Sequence, residues 1–451
     1  MRPGHRRRPP RGRRDVPPAA SERRQPRRCR SGQLPVRAAL VAGDAGGRHP
    51  RHDVSRQDAR ERAAPPIRHA PRGAPESYRS AGRRQLRPRP DLEEFDRQVL
   101  SFTALRETML SAAQPTCFLI ADISGYTGYL ADVELDHAQD ILADLIGAVV
   151  TALRPDFRLA KLEGDAAFTF MTTEAIDGSM LLDTIERCYF GFRRRRRDVR
   201  QATSCPCNAC ARIPDLDLKF VVHHGTAILG KVAGRQELLG SDVIVVHRLL
   251  KNEVVEKLGI TAYALITQQC IDVSDLEPAA LGMRGHTETY DRIGDVPAWA
   301  HDLERRWQEE ETRGRVRVSP EDAFVTVSVP TNVPQQVAWE FLTKPGQRMT
   351  WQPWVTEVTV QATGGRRGPG SANHCMHGKD AVVEEILDWR PYDYVTDRTI
   401  LATPDGPLRV LHTIELEATP TGTKIHMRFA APKTKREMPL MNVIGPAYAA
   451  A

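Results

Sequence analysis

The 451-residue chain contains no run of 18 consecutive apolar residues, so no helical membrane span is expected. Its first residues carry charge but no apolar segment, so no secretory signal is expected either. Eight cysteines over this length are too few for a disulfide scaffold, and a reducing, cytoplasmic setting is expected. Lysine is missing until Lys161. Residues 1–90 instead hold 25 arginines against seven carboxylates, about +18. The whole chain is +7, so the remainder carries about −11, and the basic balance belongs to the leading segment alone. Runs such as "RRRPPRGRR" have no apolar periodicity and cannot bury a core. One reading is a disordered nucleic-acid-binding arm. The favoured one is GC-rich DNA translated upstream of the true start, because no Met falls between Met1 and Met109. Residues 1–92 are therefore expected to be disordered, and no DNA partner is expected.

The rest is patterned. "CFLIADISGYT" reads as strand then turn, and "LDHAQDILADLIGAVVTALRP" as a helix ending at Pro155. "FRLAKLEGDAAFTFM" reads as two strands around Glu163-Gly164-Asp165. "MLLDTIERCYFGFRRRRRDVRQ" is a helix, and "LKFVVHHGTAILGKVAG" is strand, glycine break and strand. "SDVIVVHRLLKNEV" runs into a helix, "GITAYALITQQCI" is strand then helix, and "TETYDRIGDVPAWA" a closing strand. The order β-α-β-β-α-β predicts an α+β domain of ferredoxin-like type over residues 112–298. A charged linker is expected over 299–321, and a second α+β domain, rich in strands, over 322–445.

Two carboxylates stand out, Asp122 at a strand end and Asp165 in a tight hairpin. Brought onto one face they repel, unless a hard cation lies between them. The N–H groups of the Ser124-Gly125-Tyr126-Thr127 turn would suit a polyphosphate. Each feature alone is compatible with an ordinary turn.

"FLIADISGYTGYL" resembles the first metal motif of the class III nucleotidyl cyclases. "KLEGDAAFTF" is similar to their Lys-x-x-Gly-Asp hairpin, "FVVHHGTAILG" to their His-x-Gly strand (here His223, Gly225 and Gly230), and "ELLGSDVIVVHRLLKN" to their purine and transition-state segment. The resemblance implies two metal ions, Mg2+ or Mn2+, on Asp122, Asp165 and the Ile123 carbonyl. It implies Lys161 and Glu237 at the purine, with ATP favoured over GTP, and Arg248 on the transferring phosphate. It also implies a homodimer, since that family builds its site between two catalytic domains. The implied activity is conversion of a nucleoside triphosphate to the 3′,5′-cyclic nucleotide and pyrophosphate. Ile244 stands where the family places its transition-state Asn and cannot donate a hydrogen bond. The alternative is therefore a nucleotide- or lipid-binding sensor without turnover.

Cys205-x-Cys207-x-x-Cys210, with Cys188, is a candidate four-thiolate zinc site or a redox or iron–sulfur site, against free surface thiols as the plain reading. Arg193 to Arg197 read as a solvated helix face, with a phosphate or acidic-partner patch as the alternative.

"VSVPTNVPQQVAWEFLTKPGQRMTWQPWV" resembles the opening of the START-like, polyketide-cyclase (SRPBCC) superfamily. That resemblance implies a helix-grip fold around an apolar cavity for a lipid or other hydrophobic small molecule. Trp339, Trp351, Trp354, His374, His377 and Trp389 are the candidate lining, with core packing as the alternative for the tryptophans.

Overall fold

The computed structural model describes residues 112–442, apart from 203, 204, 206, 234 and 379, together with Tyr448. The segment 1–92, expected to be disordered, lies outside the described residues. No described helix is long and apolar enough to cross a membrane.

β1 (Gln114–Ser124) is buried on both faces. Cys117, Leu119, Ala121 and Ile123 point into one core, and Phe118 and Ile120 into the other, as period-two geometry requires. Asp122 takes the next place on the Phe118–Ile120 side. After β1 come α1 (Tyr126–Ala131), α2 (Leu135–Leu153), β2 (Arg158–Glu163), β3 (Ala166–Thr172), α3 (Gly178–Ala202) and α4 (Asn208–Ala211). Then follow β4 (Asp217–Val232), β5 (Arg235–Leu239), α5 (Ser241–Arg248), α6 (Val254–Leu258), β6 (Tyr263–Thr267), α7 (Gln268–Asp272), β7 (Arg284–Tyr290), β8 (Gly294–Asp302) and α8 (Leu303–Thr312). The sheet order is β2-β3-β1-β4-β6-β8-β7, with β5 paired to the far half of β4.

α2 and α3 cover one face. Leu142, Leu145, Ile146 and Val149 of α2 share a core with Leu181, Ile185 and Tyr189 of α3. Their three- and four-residue spacing is why the sequence reads as helix. Val246 of α5, Leu249 and Val254 help close the opposite face. The closing strand expected at "TETYDRIGDVPAWA" is a hairpin instead, β7 against β8, because Arg292 (φ 65) and Gly294 (φ 85) turn the chain.

Part of the expected linker is structured. β8 runs to Asp302, whose side chain caps α8 by accepting from Arg305 N, and α8 buries Leu303 and Trp307 in the first domain's core. The arginine run is solvated at Arg194, Arg195 and Arg197, as expected, but several of its members are also paired. Arg193 pairs with Glu304, Arg195 with Asp144 at 2.6 Å and Arg197 with Glu311 at 3.0 Å. These bonds tie α3 to α8 and α2.

The second sheet is wholly antiparallel. Its strands are β9 (Ala323–Thr331), β10 (Glu357–Gln361), β11 (Ala372–His377), β12 (Asp380–Arg390), β13 (Tyr394–Leu401), β14 (Leu408–Thr419) and β15 (Gly422–Ala430). Their order is β10-β11-β12-β13-β14-β15-β9. α9 (Gln335–Thr343) buries Ala338, Trp339 and Leu342 against this sheet, and α10 (Pro345–Trp351) follows it.

The two domains meet along α3. Arg366, in the loop after β10, pairs with Asp183 at 3.0 Å and Glu186 at 2.6 Å. Glu186 also accepts from His301 at 2.8 Å and Arg306 at 2.9 Å. Burial alone would raise the Glu186 carboxyl, but Arg366, the His301 hydrogen bond and Arg306 hold it well below its usual range. Trp389 Nε1 donates to Asp183 at 2.8 Å, and Tyr392 Oη donates to Asp156 at 2.7 Å. Gly365, at φ 77, lies so close to the Asp275 carbonyl that a Cβ would stand 1.8 Å from its oxygen.

Candidate functional site

Asp122 lies in register between Ala166 of β3 and Lys219 of β4. Lys219 sits on the same face of the sheet, and its Nζ lies 3.2 Å from Asp122 Oδ2. Asp165 follows Gly164, whose φ of 67 makes the hairpin turn. The Ile123 N–H donates to the Asp165 carbonyl at 3.3 Å, joining the strand end to the hairpin. The Asp165 carboxyl is pushed up to about 6, first by burial and then by the charge of Asp122; its own backbone and Lys219 oppose the shift. The two carboxylates are thus electrostatic neighbours. Lys219 is the cation that sequence reasoning missed. Its signal is a lone charge on an apolar strand, and the Asp122 pairing appears only once the register is known.

The turn after Asp122 needs glycine for two reasons. Gly125 has φ 85, and a Cβ there would lie 2.7 Å from the Asp215 carbonyl oxygen. Gly125 caps α1, Ser124 and Tyr126 are partly buried, and Thr127 is exposed.

A second group gathers beside β2 and β5. Lys161 Nζ lies 2.9 Å from Glu163, and Glu163 also meets His247 Nε2 at 3.0 Å. The hydrogen bond to Glu163 raises the Lys161 ammonium above its usual value, and the charge of Glu237 adds to the rise. Lys161 and Glu237 line one pocket with Phe168, Gln236 and Val243. The two expected purine contacts therefore come together in one chain, whereas Glu163 and His247 were not anticipated.

The His223–Gly225 strand meets α5. Asp242 accepts from the Thr226 N–H at 2.7 Å, and its other oxygen lies 3.4 Å from His223 Nε2. A Cβ on Gly225 would lie 2.3 Å from the Asp242 carboxyl carbon. Glycine is thus required for the carboxylate to reach the backbone. Ile244 is 58% exposed on α5. Arg248, in the last turn of α5, is exposed and makes no ion pair among the described residues.

The cysteine expectation needs correcting. Cys188 faces α2 in the core, where its Sγ lies 3.8 Å from the Val149 carbonyl, and burial pushes its thiol up to about 12. The fourth member of the cluster is His137, at the start of α2. Its Nδ1 lies 3.2 Å from Cys207 Sγ, 3.7 Å from Cys205 Sγ and 3.8 Å from Cys210 Sγ.

The C-terminal cavity also differs from expectation. It has a volume of about 20 Å³, and its lining includes the Arg348–Glu384 ion pair, Gln352, Asn373, Asp397, His412 and Tyr448. That is room for little more than a water. Of the expected residues only Trp389 lines it. Trp339 packs edge-on against Trp389 at 4.9 Å, and Trp351 and Trp354 pack around Tyr448. His374 alternates away from the lining residue Asn373 along β11, and His377 ends that strand outside the lining. The sheet's period turns His374 away, and Trp339, Trp351 and Trp354 pack on lining residues without lining the cavity themselves. His412 Nδ1 lies 3.2 Å from Asp397, and its buried Nε2 has no hydrogen-bond partner among the described residues.

Residues 322–450 match the family described as "Polyketide cyclase / dehydrase and lipid transport". The C-terminal domain is polyketide-cyclase-like. Residues 142–257 match the family described as "Protein of unknown function (DUF2652)". An uncharacterized protein of Mycobacterium tuberculosis is 38% identical over 136 residues, which are 30% of this chain and 61% of that relative's length. Similar solved structures include the guanylyl cyclase Cya2, at 13% identity over 43% of this chain and 93% of that one, with a TM-score of 0.35. The adenylyl cyclase CyaB from P. aeruginosa is 13% identical over 43% and 96%, with a TM-score of 0.32. Protein MLL2253 from Mesorhizobium loti is 22% identical over 28% and 89%, with a TM-score of 0.23. The order of the first domain, β1-α2-β2-β3-α3-β4, is the α+β order that the sequence pattern predicts, with Asp122 and Asp165 near one end of the sheet.

Proposed function

We propose that the first domain binds a nucleoside triphosphate with divalent cations at Asp122 and Asp165, and forms the 3′,5′-cyclic nucleotide with release of pyrophosphate. The observation that carries this reading is the pair of carboxylates at one strand end, the second pushed up to about 6 by burial and by the first. Such a pair fits a hard cation, which relieves the repulsion that adds to burial in raising Asp165. Two bound Mg2+ or Mn2+ ions would activate the 3′-oxygen and neutralise the leaving pyrophosphate. In this reading Lys219 releases Asp122 as the site loads. Glu163 and His247 hold Lys161 in place. Lys161 donates to the purine, and Glu237 accepts from the amino group of adenine, which favours ATP over GTP. Arg248 reaches the transferring phosphate of a second copy's site. Exposed Leu162, Leu239 and Ile244 are apolar surface that such a copy would cover.

A second reading, nucleotide sensing without turnover, is favoured by Ile244, which offers no donor on α5. The small, polar cavity of the second domain makes any regulatory ligand one that either opens the domain or bonds to polar groups.

The test incubates the full chain with ATP or GTP and Mn2+, and follows both cyclic nucleotide and bound nucleotide. Product that Asp122→Asn and Asp165→Asn both remove supports the cyclase. Metal-dependent binding without product supports the sensor. Neither binding nor product overturns both readings.

A further inference from the structure

We propose that His137, Cys205, Cys207 and Cys210 hold one zinc ion, which clamps the loop after α3 against the elements that follow Asp122. The four ligand atoms lie within 4.8 Å of one another. The distances from His137 Nδ1 to the three sulfurs are 3.2, 3.7 and 3.8 Å. A tetrahedral ion with Zn–S of about 2.3 Å and Zn–N of about 2.0 Å places N and S roughly 3.6 Å apart, and two sulfurs roughly 3.8 Å apart. The three N–S distances therefore already approach those of a single-ion site. An iron–sulfur cluster spreads its thiolates over several irons and needs a wider cage. One imidazole and three thiolates form a closed structural zinc set with no position left for water. Loading releases the three thiol protons to solvent.

The neighbouring contacts give the ion a task. The loop is joined to α1 and to the start of α2 by two hydrogen bonds, Tyr129 Oη to the Ala209 carbonyl at 2.9 Å and Ala209 N–H to Glu134 at 3.1 Å. A few residues on, the Asp215 carbonyl fills the space beside Gly125. α4 is a single turn of four residues and cannot hold this arrangement by its own backbone bonds. An ion joining α2 to both ends of the Cys205–Cys210 segment fixes the floor on which the turn after Asp122 rests.

The test is metal content of the full chain, purified under reducing conditions and read by mass spectrometry, with Co2+ substitution as a spectroscopic probe. One zinc per chain is expected, and Co2+ should give tetrahedral d–d bands with thiolate charge transfer. Cys207→Ser and His137→Gln should each lower zinc at least fivefold. His137→Cys should retain it as a four-thiolate site, and Cys188→Ser should leave it unchanged. Chelation should speed amide exchange at residues 126–131 and 207–215 at least tenfold and leave β13 and β14 unaffected. A wild-type chain that takes up neither Zn2+ nor Co2+ overturns the site. So does stoichiometric iron with sulfide, or zinc that survives His137→Gln and leaves with Cys188→Ser. Unchanged exchange after zinc is removed overturns the clamp.

Discussion

Asp165 carries the clearest pH signature. Its folded carboxyl, at about 6, lies above the ordinary range near 4, so the folded state without cation favours the proton. The stability this gives is fully present below about pH 4 and is lost as pH rises through about 6. A cation at the site must displace that proton. Mn2+ affinity should therefore rise roughly tenfold per pH unit below about 6 and level off above it. Calorimetric titration between about pH 5 and about pH 8 measures this, and Asp165→Asn should flatten the profile. Ile244→Asn should raise cyclic-nucleotide turnover by about 100-fold, the usual worth of one positioned donor, with little change in stability, because the position is exposed. The carboxylates were legible because each interrupts an apolar pattern. Lys219 and His137 were not, because their partners arrive from β1 and from the cysteine loop, distant in sequence. Cys188 misled because proximity in sequence stood in for direction, and α3 turns that thiol into the core.

Among elements, the strands and long helices follow directly from period. β1, α2, α3 and the β2–β3 hairpin were readable because burial there depends on local spacing. α8 was not, because its charged surface reads as linker and its two buried residues, Leu303 and Trp307, gain meaning only against α3. The polar cavity wall escaped for a related reason. Arg348 on α10 and Glu384 on β12 look like surface charges in sequence, yet they are buried together. Arg348→Met should lower unfolding free energy by roughly 3–5 kcal/mol, because it strands the Glu384 charge. Adding Glu384→Leu should recover most of that loss. Urea unfolding of the single and double variants measures both. Recovery by the second substitution separates a stranded charge from simple loss of packing.

For the whole molecule, the boundary between the domains is built of charge and not of apolar surface alone. Glu186 receives Arg366 from one domain and His301 and Arg306 from the other. Arg366→Ala should therefore reduce the cooperativity of unfolding and split one calorimetric transition into two, one for each domain. Its effect on overall stability should be roughly 3 kcal/mol or more, as for other buried pairs that lose one partner. No local pattern foretold this seam, since it exists only when β12 and α3 are side by side.

Trp389 lines the cavity and also reaches the first domain through its N–H, which donates to Asp183 on α3. A guest that enlarges the cavity by tilting that ring must surrender the bond to Asp183. A displacement of α3 must, by the same equality of coupling free energies, change how tightly the cavity holds its guest. Were such a guest to bind, the indole would act as a thermodynamic hinge pin, with occupancy on one side and helix position on the other as two readings of a single equilibrium.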